Sequence, residues 1–309
     1  VIASVLLSVT SVYASGVAHE NDVLRRLVVF PIKYDQQERP SELEDAWWKI
    51  REELASGQRF LLASKQFLQQ KDVFQPRGAL SPADAIILGK LLDAQAIVIT
   101  FIENRTIRMI AYEGDGGSTL WDHSLSLHPS LPIKSQVVET SRRLIQDFIA
   151  SFPYQGFVMP DELTGSAVTE SNGQHFVKVE TGRGLQLAPG DPVQFVRLQR
   201  QSLKPLFEEG GQVQLFGEGT VLKSDREQTT VQLTRVSKGE LVTAYTLVKF
   251  PKEYQRIRSE FALVSRDALN PSVITQDLQK VRSSGEDGKP TATAIAFITS
   301  ITAFVLLAF

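Results

Sequence analysis

The chain has 309 residues, 42% of them hydrophobic and 22% charged, with a formal net charge of −2. This composition excludes a wholly disordered chain and allows about two domains, and the balanced charge offers no general attraction to nucleic acid or anionic lipid. There is no cysteine and there are four histidines, which excludes disulfide frameworks, thiolate metal sites and cysteine nucleophiles and argues against a His-rich metal centre.

Residues 1–15 are uncharged and mostly apolar, with small residues around Val12-Tyr13-Ala14. They read as the remnant of a secretory signal peptide, and a first buried helix or strand is the alternative. Residues 22–153 form the first expected domain. The apolar run 24–32 predicts a strand buried on both faces. Ser41-x-x-Glu44 predicts a capping box opening a helix that stops at Gly57. A short strand follows at 59–63, then a helical turn at 64–70. Ser81-Pro82 marks the start of a second helix, with Ser as N-cap and Pro at the first helical position. Residues 95–103, 105–112 and 119–127 read as three strands, the last two joined by the glycine-rich loop 113–117. Residues 132–152 carry Val137, Val138, Leu144, Ile145, Phe148 and Ile149 on one helical stripe. The predicted order is β-α-β-α-β-β-β-α, with parallel early pairs and antiparallel later ones.

Residues 154–252 shift to glycine turns and about six or seven short strands, the pattern of a small closed or nearly closed antiparallel β-barrel. Residues 253–290 read as a linker, ending in the polar, breaker-rich stretch 283–290. The last 19 residues, 291–309, carry no charge and are long enough to span a bilayer as a transmembrane helix. The expected fold class is therefore α+β: a mixed-sheet α/β domain, a small antiparallel β-barrel and a C-terminal membrane helix.

Two resemblances add to this reading. Leu27-Val28-Val29-Phe30-Pro31, Arg59-Phe60-Leu61 and the run Leu88-Gly89-Lys90-Leu91-Leu92-Asp93-Ala94 before Ala96-Ile97-Val98-Ile99 make residues 22–153 similar to the α/β domain of TolB N-terminal, CsgG and LpoB proteins. Leu187-Ala188-Pro189-Gly190-Asp191-Pro192-Val193 and Gly219-Thr220-Val221 make the second domain resemble the C-terminal barrel of the flagellar assembly protein family FlgT. FlgT proteins also place a TolB-like domain before that barrel, but they carry a further N-terminal domain and lack a C-terminal span. The resemblance implies protein partners in envelope machinery and is compatible with a homo-oligomer or ring.

Motifs for bond chemistry are weak. Glu113 and Asp115 offer two carboxylates, against the six to eight oxygens that calcium takes, so a hairpin turn is favoured. His123 and His128 sit five apart and face opposite sides of a straight strand. Gly182-x-Gly184 lacks the rest of a phosphate loop, and Ser224-Asp225-Arg226 has no partner for a nucleophile. Arg25-Arg26 and Arg142-Arg143 read as solvated charges.

No catalytic residue, cofactor or metal is assigned, and the chain is read as a non-enzyme. The expectation is a periplasmic scaffold or adaptor, anchored in the inner membrane by its C-terminal helix, that binds protein partners and no nucleic acid. Trp47, Trp48, Lys204, Leu206 and Phe207 are the expected contact residues, since aromatic and apolar anchors dominate interfaces. The alternatives are the extracytoplasmic ectodomain of a sensor and, from another class, an envelope hydrolase or ligand-binding receptor with a pocket around Asp84, His123 or Asp191.

Overall fold

The structure, a computed structural model, describes residues 18, 23–34, 41–162, 164–198, 203–207 and 213–268. The expected signal remnant at 1–15, the expected span at 291–309 and residues 269–290 of the expected linker lie outside the described residues. No helix among the described residues is long and apolar enough to cross a membrane.

The first sheet is mixed. It contains β1 (Arg26–Val29), β2 (Lys33–Tyr34), β3 (Leu61–Leu62), β4 (Ala96–Glu103), β5 (Thr106–Glu113) and β6 (Thr119–Ser126) in the order β3-β1-β4-β5-β6, with β2 beside β4. The β1–β3, β1–β4 and β2–β4 pairs are parallel, whereas β4–β5 and β5–β6 are antiparallel. Parallel pairs need crossover segments, and α1 (Glu42–Ser56), α2 (Lys65–Gln70) and α3 (Pro82–Leu92) lie in those crossovers. Hairpins need tight turns, and Asn104 and Arg105, both at positive φ, make the β4–β5 turn.

Alternation along β1 explains its continuous apolar run. Leu27 and Val29 join a core with α1 and with α4 (Val137–Ala150). Val28 and Phe30 join a second core with α2 and α3. The sheet is thus covered on both faces, as the sequence suggests.

Three local expectations are corrected. The strand expected over 24–32 is confined to β1 at Arg26–Val29, and β2 begins beyond the run, after Pro31, which has no N–H for a ladder. Ser41 has helical angles and no capping bond; its hydroxyl donates to Glu42, and the Glu44 carboxylate takes Lys65 instead. Gly57 is right-handed and the left-handed residue is Gln58. The second helix start holds, because the Ser81 hydroxyl accepts from Asp84 N–H at 3.2 Å with Pro82 following.

The second sheet is antiparallel throughout. Its strands are β7 (Gly156–Met159), β8 (Thr169–Ser171), β9 (Gln174–Glu180), β10 (Pro192–Leu198), β11 (Val213–Ser224), β12 (Gln228–Val236) and β13 (Leu247–Lys249). The order β12-β11-β10-β13-β7-β9 closes through a β12–β9 pair, giving a six-stranded barrel with β8 appended to β9. Valines and Phe195, Phe216 and Phe250 fill it. Gly219 faces the Phe195 ring, and a Cβ there would lie 2.6 Å from the Gln232 carbonyl oxygen. The expected linker at 253–290 is corrected at its start, which belongs to the helix α5 (Pro251–Ala268) directly after β13. Glu253 in its first turn is buried and accepts from Gln186 N–H at 3.0 Å, which ties that turn to the barrel.

The core under α1 and α4 continues into the barrel. Phe152, Tyr154, Phe157, Val196, Leu203, Leu206 and Leu247 belong to the same buried cluster as Trp47 and Phe148. Polar ties run alongside. The Tyr154 hydroxyl accepts from Leu24 N–H at 3.2 Å, and Arg25 on the β1 side pairs with Glu180 of β9 at 3.5 Å.

Candidate functional site

The expected contact residues are mostly turned inward. Trp47 is 1% exposed, and its indole N–H donates to the Val29 carbonyl at 3.0 Å. Trp48, about 100° further round the helix, is 47% exposed and rests its ring 4.7 Å from Trp47. The Arg51 guanidinium lies 5.8 Å from the Trp48 ring centre. Lys204 is exposed, but Leu206 is buried, and the half-buried Phe207 stacks on Phe148 and meets Phe152 edge-on. The segment 203–207 is thus a plug between the sheets. The Glu113 carboxylate receives Leu203 N–H at 3.1 Å and the Ser118 hydroxyl at 2.8 Å. The carboxylate that the sequence offers to a cation is spent on holding this plug.

The other candidates are held by local partners. His123 bonds through Nδ1 to Asp147 of α4. His128 accepts from Ser130 N–H through its own Nδ1. Asp84 takes the Ser81 hydroxyl at 2.7 Å, and Asp191 takes Ala188 N–H and Lys252. Asp84 lies in α3, His123 in β6 and Asp191 in the turn before β10. Among the described residues no group of three His, Asp or Glu gathers as metal ligands would. The Gly182-Arg183 turn packs on the end of α1, with Arg183 N–H donating to Gly57 at 2.5 Å, and is a structural turn.

The open edge of the first sheet is the site that sequence reasoning misses. Among the described residues β6 is the terminal strand, and its run 122–126 is exposed throughout. Leu127 N–H donates to Arg105 at 2.7 Å, which sets the ladder phase. By alternation the backbones of Leu125 and His123 face β5, and those of Asp122, Ser124 and Ser126 face away. A groove of about 500 Å³ opens beside this edge, lined by Phe101, Glu103, Asn104, Arg108, Asp122 and Ser124 among others. Arg108 grips Asp122 through two bonds, one of 2.8 Å, and this carboxylate pushes the guanidinium pKa up. Two carboxylates against one guanidinium leave those lining groups acidic.

One signal for the edge was available. Residues 122–126 read Asp-His-Ser-Leu-Ser, a strand with one large apolar residue, and this suits an edge better than a centre. Its position in the sheet follows only from pairing.

No protein-family model matches the chain, and no curated protein matches it. Among solved structures it is similar to the LpoB C-terminal domain from Escherichia coli, at 18% identity over 36% of this chain and 87% of that one, with a TM-score of 0.29. It is also similar to a lipoprotein from Neisseria meningitidis, at 10% identity over 40% and 98% of the two chains, with a TM-score of 0.28. TolB from Acinetobacter baumannii matches at 10% identity over 71% of this chain and 59% of that one, with a TM-score of 0.27. Likenesses of this degree say nothing of function.

Proposed function

We propose that this chain is a non-enzymatic scaffold or adaptor of the cell envelope that captures an extended segment of a protein partner along β6. The carrying observation is the outward-facing backbone of Asp122, Ser124 and Ser126 on an exposed terminal strand. Such an edge supplies affinity through main-chain hydrogen bonds, while the adjoining groove reads alternate side chains. The barrel's part is to hold the sheet, through the Leu203–Phe207 plug and the shared core. Trp48 is a second contact of this surface chemistry. The setting we read is periplasmic, with residues 291–309 as an inner-membrane tether, in flagellar motor or basal-body assembly or in secretion machinery. The sequence features of the two termini and the FlgT-like barrel motifs support that setting.

Ser124→Pro tests the reading. Its N–H faces outward, so proline leaves the β5–β6 ladder intact and blocks an added strand. A crosslinker placed at Ser126 in envelopes of the native cell should give a discrete protein adduct that Ser124→Pro loses. An unchanged adduct in Ser124→Pro removes β6 as the docking edge.

A further inference from the structure

We propose that the outer face of α3 is a self-association surface for a second copy of this chain. α3 is apolar on both sides. Ala85, Leu88 and Leu92 are buried against the sheet, yet Ile87 is 63% and Leu91 43% exposed. A surface helix normally keeps such residues to an inward stripe, as α4 does with Leu144, Ile145 and Phe148. Ala83, Asp84, Ile87, Lys90 and Leu91 are all exposed. They stand three and four positions on either side of Ile87, so they form one continuous patch.

The patch is arranged for an antiparallel copy of itself. With a two-fold axis beside Ile87, each residue a given number of positions after 87 lies level with the residue the same number before it in the other copy. Lys90 comes level with Asp84 and Leu91 with Ala83, at both ends of the contact. Opposite charges then share a level, and the longer apolar side chain shares one with the shortest. A parallel copy would bring Asp84 level with Asp84 and Lys90 level with Lys90, which is repulsive. An isologous contact of this kind closes as a dimer. Five residues make a small face beside the roughly 800 Å² per partner of a standard interface, so the association is reversible and concentration-dependent.

The absence of cysteine from the chain makes the test direct, because one introduced thiol reports one contact. Helices packed at an interaxial distance of about 8–10 Å bring two copies of position 87 near the roughly 4 Å Cβ separation of a disulfide. Ile87→Cys in the full chain is expected to oxidise to a covalent dimer. Leu241→Cys, comparably exposed between β12 and β13, is expected to stay largely monomeric. Asp84→Lys and Lys90→Asp should each lower the dimer yield of the Ile87→Cys chain, and the two together should restore it. Equal yields at positions 87 and 241 overturn the proposal, as does a double reversal that remains as weak as the single changes. A different protein seated on α3 would leave the purified Ile87→Cys chain monomeric, and that result overturns it too. The sites of substitution are exposed, and circular dichroism of each variant reports whether the fold is kept.

Discussion

Among the described residues the first sheet ends at an exposed strand, whereas six strands of the second close into a ring, since β12 pairs with both β11 and β9. The open sheet keeps one long edge and covers both faces with helices. The barrel turns its apolar residues inward and satisfies its strand edges internally, with only the short β8 hanging off β9. Closure leaves the six ring strands no free edge for a partner strand to join. In the proposed function, recognition falls to the open sheet and support to the closed one. The shared core around Phe152, Phe207 and Leu206 is where the support is delivered.

The largest expected effect lies under the open sheet. Trp47→Ala removes a fully buried indole and its bond to Val29 and should cost about 3–5 kcal/mol in urea denaturation. Trp48→Ala should cost less than about 1 kcal/mol. Similar losses at the two positions would mean that the inward and outward faces of α1 are wrongly assigned.

Closure of the barrel is probed next. Gly219→Val would drive its side chain into the Gln232 backbone and the Val231 side chain, at an expected cost of about 1–3 kcal/mol or more. A neutral outcome would show that β11 and β12 do not pack as described. Asp191 offers a pH-dependent version of the same probe. The hydrogen bond from the Lys252 ammonium, and then that from Ala188 N–H, hold its carboxyl below the usual carboxylate range. A depressed folded value means that the folded chain binds this proton less readily than the unfolded one. The stabilisation is therefore present above the unfolded carboxylate pKa and is lost as pH falls through the folded value. Asp191→Ala should cost about 1 kcal/mol near neutrality, and the gap to the parent should close in acid. A gap independent of pH would assign the loss to packing.

The smallest effect sharpens the contrast most. Ser124→Pro should change stability by no more than about 0.5 kcal/mol, because its N–H points away from β5. Leu125→Pro, one position on, removes a ladder bond and should cost more than about 1 kcal/mol. Equal losses would show that the edge is paired on both sides.

Much of the fold was legible along the chain because the responsible forces are local. The Ser81-Pro82 helix start depends on a hydroxyl and an N–H three residues apart, and the period of Val137, Leu144, Ile145 and Phe148 needs only the helix itself. The α3 glycine of the Leu88-Gly89-Lys90 run was visible as a motif, but its reason was not. A Cβ at Gly89 would lie 2.2 Å from the Gly114 carbonyl oxygen, which belongs to the loop after β5. The Ser41 capping box failed for the same kind of reason, since Glu44 found Lys65, 21 residues away. Leu206 and Phe207 read as surface anchors because a loop with apolar residues looks alike whether its aromatic face meets solvent or Phe148.

The sequence by itself determined most strand and helix segments of the first sheet, the parallel-then-antiparallel order and the barrel class, because periodicity, turn residues and caps act over a few positions; it did not show the helix α5. Its length, small net charge and lack of cysteine limited the chemistry in advance. Tertiary structure alone decided which tryptophan faces inward, which loop becomes a plug, that β12 closes on β9 and that β6 ends the other sheet. Each of these depends on which distant segments pair, and long-range pairing is set by the fit of whole faces rather than by any residue's own preference.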